Sequence, residues 1–250
     1  MINNPVRRQG ENVELTQQTV VVIGGTSGIG LAVAEAASAQ GAAVVVVGRD
    51  AGKAERTAAE IGGGVRGLAA DLTDPAAVAS LAAEFKALDH LVLTAAELSY
   101  GPFLELPLEQ ARAVMESKFW GYYLAVRALA PAIAPTGSIT LFSGLAAVRP
   151  APGTVMVTAV NAAVEGLTRS LAVELAPVRV NAVSPGVVAT PVWSYLSKEE
   201  QAGMFDQLGQ SLPVGRVGRP EDVARAVLDL IGNGYTTGEI RNVDGGARLV

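Results

Sequence analysis

The glycine-rich segment at residues 24–30, which reads GGTSGIG, most constrains what this chain can fold into. It follows the apolar run TVVVI and precedes the alanine-rich stretch LAVAEAASAQ, so a buried strand passes directly into a helix. Gly24 permits the tight turn, Gly28 lets the backbone approach a pyrophosphate, and Gly30 lets helix and strand pack closely. Because free N–H groups at the helix N-terminus face such an anion, the segment predicts a βαβ unit that binds a dinucleotide.

The same alternation of apolar runs and amphipathic stretches continues along the chain. Runs such as AAVVVVG and HLVLTAA indicate strands buried on both faces. Strands that alternate with helices imply parallel βαβ units with right-handed crossovers. We therefore predict an α/β fold, a Rossmann-type doubly wound parallel sheet of about seven strands in three α/β/α layers. Residues 1–17 are predicted to be a flexible leader, 18–250 a single domain, and 107–133 one extended or broken helix.

The composition excludes several kinds of site. The 250 residues carry a net charge of −5 and no long basic run, which argues against nucleic-acid binding. The chain has no cysteine, and its single histidine, His90, cannot form a zinc site of the usual kind, so we expect no metal. The polar N-terminus lacks a secretory signal, and no apolar run reaches the ~18 residues that span a bilayer. We expect a cytoplasmic protein that does not enter a membrane.

Several motifs resemble the short-chain dehydrogenase/reductase family. The spacing Gly24-x-x-x-Gly28-x-Gly30 is similar to its TGxxxGxG turn, and the stretch at 164–191, the run GRVGRPEDVARAV and the terminal VDGG resemble further family segments in the same order. The resemblance covers about residues 18–246. It implies a nicotinamide dinucleotide, a small-molecule substrate and a lid at 191–209. The cofactor-binding residues that it implies are Gly24, Thr26, Ser27, Gly28, Ile29, Gly30, Arg49, Asp71, Leu72, Thr94, Ala95, Pro185, Gly186, Val188 and Thr190.

The end of the second strand indicates which dinucleotide binds. NAD-preferring relatives usually place an aspartate there, whereas this chain has Gly48 followed by Arg49. A small residue leaves space, and a guanidinium can pair with a 2′-phosphate, so we predict NADP(H). In the alternative, Asp50 holds the ribose and the cofactor is NAD.

The catalytic positions of the family are changed in this chain. The resemblance places Val157 at the usual tyrosine, Asn161 at the usual lysine and Lys118 at the usual helix asparagine. The usual serine corresponds to Gly144, with Ser143 just before it. Since lysine and asparagine have exchanged places on neighbouring helices, we hypothesise that Lys118 supplies the cation near the ribose or substrate, with Asn161 as its partner. In the alternative, Lys118 is a solvated residue and Asn161 a neutral filler.

No tyrosine clearly replaces the missing one. The candidate catalytic residues are Ser143, Lys118, Asn161 and Thr158. Tyr100, Tyr195 and Glu97 remain open as further reactive groups, whereas Tyr122 and Tyr123 fit a packing or subunit-contact stripe.

Three functions compete at this point. The first is an NADP(H)-dependent oxidoreductase that transfers a hydride to or from a carbonyl or imine carbon. The second is a dinucleotide-binding sensor or partner subunit without turnover, and the third is an enzyme with non-redox chemistry such as isomerisation, elimination or cyclisation. The resemblance also implies a homo-oligomer, either a dimer or a tetramer.

Overall fold

A parallel seven-stranded sheet forms the centre of the protein in a computed structural model that describes residues 14–250. The strands are β1 (Thr19–Ile23), β2 (Ala43–Gly48), β3 (Arg66–Ala69), β4 (Leu88–Leu93), β5 (Ile133–Phe142), β6 (Arg179–Pro185) and β7 (Ile240–Val243), in the order β3-β2-β1-β4-β5-β6-β7. The helices are α1 (Gly28–Ala39), α2 (Ala51–Ile61), α3 (Pro75–Ala83), α4 (Leu108–Val114), α5 (Gly121–Leu129), α6 (Val155–Glu174), α7 (Lys198–Ser211) and α8 (Pro220–Gly232). The predicted Rossmann-type α/β class is confirmed.

Both faces of the sheet are covered, as the continuous apolar strands predict. Successive side chains of a strand point to opposite faces, so Val20 and Val22 of β1 pack into one core beneath α1 and α8. Val21 and Ile23 pack into the other core, with residues of α3, α5 and α6. The two apolar layers pack against the two faces of the sheet. They fix the positions of the strand ends from which the loops at the carboxyl edge begin.

The strand order reverses between β1 and β4, which are direct neighbours although two strands separate them in the chain. The chain leaves β1 toward β2 on one side and leaves β4 toward β5 on the other. In open parallel sheets such a reversal opens a crevice at the carboxyl ends of the strands. The glycine-rich turn after β1 lies at this crevice.

The long helical stretch predicted at 107–133 is continuous but irregular. Between α4 and α5, residues Met115–Trp120 form a π-helical segment, and Ala130–Ala132 form a 3₁₀ turn. A π turn accommodates an extra residue and turns the side chains on it by a different amount from an α-helix. This segment carries Lys118, which is buried.

The predicted flexible leader, 1–17, lies mostly on residues 1–13, which are outside the described residues. Leu15 is within them, and only 1% of its surface is exposed where it packs beside α1. The packed chain therefore begins before residue 18, earlier than the composition of the leader suggested. Within residues 14–250, no helix is both long and apolar enough to cross a membrane.

Candidate active site

A cleft of about 710 Å³ lies at the crevice. Most of the residues predicted to hold a cofactor line it, namely Gly24, Thr26, Ser27, Gly28, Ile29, Gly30, Arg49, Asp71, Leu72, Thr94, Ala95, Pro185 and Thr190. Gly186 and Val188 lie outside the lining. A Cβ on Gly186 would stand 2.9 Å from Asp244 Cα, and Val188 is buried in the core, so both support the cleft wall from behind.

Backbone atoms build the glycine-rich end of the cleft. A Cβ on Gly30 would overlap the Gly24 carbonyl oxygen. Gly24 has a φ of +87°, and a Cβ there would stand 2.6 Å from Ala95 N. Ser27 caps α1 without a side-chain hydrogen bond, so the first amides of the helix are left for a ligand. This cradle fits a dinucleotide diphosphate, because the N-terminus of α1 offers free backbone N–H groups and the glycines let an anion come close to the main chain.

Positive and negative side chains meet where β2 ends. Arg49 Nη1 lies 3.2 Å from Glu97 Oε2, and both side chains are largely exposed. Asp50 caps α2 by accepting from Lys53 N at 2.6 Å, so one carboxylate oxygen is already used. Lys53 also lines the cleft, which places a second cation near Arg49. The sequence analysis did not identify Lys53 as a cofactor-binding candidate. Its position in the first turn of α2, directly after β2, could have indicated it.

Lys118 and Asn161 are hydrogen-bonded to each other at the other end of the cleft. Lys118 Nζ donates to Asn161 Oδ1 at 2.6 Å and to the backbone oxygen of Ser143 at 3.1 Å. Lys118 is 3% exposed and Asn161 2% exposed, so the alternative of a solvated lysine is wrong. Lys118 and Ser143 line the cleft, whereas Asn161 lies behind them and fixes the amine in place.

Burial changes the acidity of the amine. Removal from water lowers the pKa of Lys118 from 10.5 to about 7, because a charged ammonium is disfavoured in an apolar surrounding. An ammonium has three N–H donors, and the two contacts above use two of them. One donor is left for a molecule in the cleft.

Gly144 makes the Lys118–Asn161 contact possible. A Cβ at residue 144 would stand 2.8 Å from Asn161 Nδ2. A serine at this position would therefore displace the amide that accepts from Lys118. Val157, which the resemblance of the sequence placed at the usual tyrosine, is buried and apolar. The residues at 118, 144 and 161 fit one another in space.

Behind the cleft, Ser143 joins a second polar contact. Its Oγ donates to Glu165 Oε1 at 2.9 Å, and Glu165 Oε2 lies 3.4 Å from Arg169 Nη2 on the same helix. Glu165 is buried, and sequence reasoning missed it, since a carboxylate between Val164 and Gly166 on a helix resembles a solvent-facing residue. Thr158 is not part of this group: its hydroxyl contacts that of Thr154 at 3.3 Å, outside the cleft lining.

The tyrosines separate into two groups. Tyr122 is fully buried, and burial raises the pKa of its phenol far above the neutral range, which agrees with a packing role. Tyr100 and Tyr195 are exposed on the loops after β4 and β6. The predicted lid at 191–209 begins with a 3₁₀ turn at Pro191–Trp193 and continues into α7, whose N-terminus has a Ser197–Glu200 capping box.

Comparison with known proteins matches this geometry to a family. The family model described as "Enoyl-(Acyl carrier protein) reductase" matches residues 24–248. "Short-chain dehydrogenase/reductase ATR9" of Stachybotrys chlorohalonatus is 35% identical, over 93% of this chain and 97% of its own. A crystal structure of a small-chain dehydrogenase in complex with NADPH is 35% identical, with a TM-score of 0.83 over 93% of this chain and 99% of its own. The MalC Reductase/Diels-Alderase of Malbranchea aurantiaca is 32% identical, with a TM-score of 0.89 over 95% and 99%.

Proposed function

The chain belongs to the short-chain dehydrogenase/reductase family, and from that premise we propose that it is an NADP(H)-dependent oxidoreductase with a rearranged active site. Its substrate is a small molecule that gains or loses hydride at a carbonyl or imine carbon. When bound, the reduced dinucleotide supplies that hydride. The observation that carries the proposal is the joining of a backbone-built dinucleotide cradle to the buried Lys118–Asn161 pair in one cleft.

The charges at the end of β2 support NADP(H) over NAD. Arg49 and Lys53 put two cations where a 2′-phosphate would lie. Asp50, the residue on which the NAD alternative depends, is engaged in capping α2. The solved relative in complex with NADPH supports the same choice.

The fit among residues 118, 144 and 161 supports retained catalysis over loss of function. A site that has lost its function accumulates unrelated substitutions. Here Gly144 leaves space for the Asn161 amide, and that amide accepts a hydrogen bond from Lys118, so the three residues depend on one another. In this proposal Lys118 acts on the substrate, Asn161 and Ser143 orient Lys118, and Thr158 has no part. Glu165 holds the Ser143 hydroxyl and so fixes the loop after β5.

Apolar side chains on the two loops that border the cleft support a largely apolar substrate, and Leu98 and Val192 of these loops line the cleft itself. Tyr100, Phe103 and Leu104 are exposed on the loop after β4, and Val192 and Tyr195 are exposed on the segment after β6. Exposed aromatic and aliphatic groups around a cleft are typical of ligand-binding surfaces.

We also propose a cytoplasmic homo-oligomer. Trp120 and Tyr123, at the π segment and α5, are partly exposed and form an edge-to-face pair with ring centroids 5.7 Å apart. Such a pair on a helix surface suits a contact with a second copy. Light scattering at the mass of a monomer would contradict this assembly.

Cyclisation in the same cleft is the second candidate. Its support is the relative named MalC Reductase/Diels-Alderase, together with the apolar Val157 at the tyrosine position of the family. A cycloaddition needs a shaped apolar cleft more than a strong acid, so the cofactor's redox state would not change during turnover.

The test measures NADPH oxidation by absorbance across ketones, aldehydes and cyclic imines, after fluorescence has established NADPH binding. Consumption that requires both substrate and the intact cleft supports the oxidoreductase, and Gly30→Ala serves as the variant with a blocked cradle. Product without change in NADPH supports cyclisation. Binding without product from any substrate favours the non-catalytic sensor.

A further inference from the structure

The cleft needs a proton donor at the end away from Arg49, and the described lining offers few candidates. Its titratable side chains at the ends of β2, β3 and β4 are Asp50, Lys53, Asp71 and Glu97. Asp50 caps a helix, Asp71 accepts from Thr73, and Glu97 pairs with Arg49. Lys53 lies at the Arg49 end, so Lys118 remains, in contact with the first residue after β5.

The π-helical segment carries this amine into the cleft wall. Lys118 is held by one side-chain oxygen and one backbone oxygen, both neutral, so no counter-charge in contact with Nζ locks its proton in place within the described residues. The charged groups on the packed elements have other partners or lie elsewhere: Glu165 and Arg169 on α6 bond each other, and Glu97 faces Arg49. Glu116, on the same segment, is not in contact with Nζ.

We propose that Lys118 is the general acid of reduction and the general base of oxidation, in place of the absent tyrosine. The inference rests on the proposed function. Asn161 and the Ser143 carbonyl are positioning residues that aim the third N–H of the ammonium at the substrate. Burial sets the pKa of Lys118 near the neutral range, where an acid–base group works most effectively.

In reduction, the Lys118 side chain donates one proton to the substrate, and water returns a proton to Lys118. As the substrate carbon receives hydride, the C–O or C–N π pair moves onto oxygen or nitrogen. That atom takes a proton from Lys118 Nζ, so a new O–H or N–H bond forms and one ammonium N–H bond breaks. The neutral amine then regains a proton from water, and oxidation runs through the same steps in reverse.

The first test reads the amine directly and needs no substrate. The chain has four lysines, Lys53, Lys86, Lys118 and Lys198, and competitive acetylation with mass spectrometry follows each of them against pH. Lys118 should react in the folded protein with a midpoint near 7, and the exposed Lys86 and Lys198 serve as internal reference lysines. Bound NADPH should slow only labelling inside the cleft. Failure of Lys118 to react in the folded protein, or an ordinary midpoint, would overturn the proposal.

The second test compares Lys118→Arg and Lys118→Met with the exposed control Lys86→Met. Arginine keeps the charge but does not release its proton, so both Lys118 variants should lose about 10²–10⁴-fold in turnover while NADPH still binds. In wild type, kcat/KM for reduction should fall as pH rises through about 7, because the acid must be protonated. A Lys118→Arg enzyme with wild-type rate and pH profile would overturn the proposal and leave the proposed function standing. If wild type itself consumes no NADPH, the proposed function fails, and the labelling midpoint alone decides the state of the amine.

Discussion

Main-chain atoms form one end of the cleft, and side chains form the other. At the nucleotide end, Gly24 and Gly30 bring backbone against backbone, and any side chain there collides with main-chain atoms. At the other end, Lys118, Asn161 and the space left by Gly144 are matched through side chains. A backbone-built site tolerates few residue types, whereas a side-chain site can be rebuilt when several residues change together. The proposal of a rearranged catalytic end beside an intact dinucleotide turn rests on this difference.

Asn161→Lys should have the largest effect on this comparison. It places a second ammonium beside Lys118 in a buried space, and an uncompensated buried charge costs about 3–5 kcal/mol. Lys118→Asn added to it should recover most of the lost stability, since the pair is then exchanged. Urea unfolding of the two single variants and the double variant measures the coupling. Additive losses would mean that the two side chains do not act as a pair.

Stability should depend on pH through Lys118. The folded-state pKa of about 7 is below the unfolded value of 10.5, so the unfolded state binds the extra proton between these limits. The free energy of unfolding should therefore rise with pH from about 7 to 10.5, and the cost of the buried ammonium should be fully present below 7. Between pH 7 and 10.5, the free energy of unfolding of wild type should rise by a few kcal/mol relative to that of Lys118→Met. The slope should be at most about 1.4 kcal/mol per pH unit. Lys86→Met, at an exposed lysine, is the matched control for the removal of an ammonium group.

Gly30→Ala tests the backbone-built end. The new Cβ overlaps the Gly24 carbonyl, so the turn must shift, at a cost of about 1–3 kcal/mol. NADPH binding should be lost even where the variant remains folded, as followed by fluorescence titration and thermal melting. Gly203→Ala on α7 is the matched control, because a Cβ there meets nothing within 4 Å. Retention of wild-type affinity by Gly30→Ala would show that the cradle does not hold the diphosphate.

Arg49→Asp should shift preference from NADPH toward NADH by about tenfold or more, through loss of a charge-assisted contact worth about 1.5–3 kcal/mol. Glu97→Gln is the control: it breaks the same 3.2 Å ion pair but keeps the guanidinium. Because that pair is exposed, its loss should change NADPH affinity only slightly. The ratio of the two dissociation constants for each variant decides the assignment. An unchanged ratio in Arg49→Asp would remove Arg49 from 2′-phosphate recognition.

The sequence predicts most of the fold because the signals are local. Apolar runs such as VVVI mark buried strands, and Asp74 and Pro75 mark the start of α3, where Asp74 Oδ1 accepts from Ala76 N. The π-helical turn around Lys118 was not predicted, because one extra residue barely changes the apolar pattern of a long helix. The contact between Lys118 and Asn161 followed from the resemblance alone.

Contacts between distant segments account for the site features that the sequence analysis did not predict. Glu165 is buried, and its carboxylate accepts a hydrogen bond from Ser143, twenty-two residues earlier. Gly186 was expected in the cleft lining, but its close contact is Asp244 after β7. Neither partner can be identified from the local sequence, since each depends on how the sheet brings strand ends together.

Titration of the purified protein with NADPH and with NADH, followed by nicotinamide fluorescence, tests most directly the claim that this cleft is a dinucleotide site with a rebuilt catalytic end. The account predicts saturable binding of both, with NADPH the tighter ligand. No change in fluorescence with either dinucleotide would contradict it.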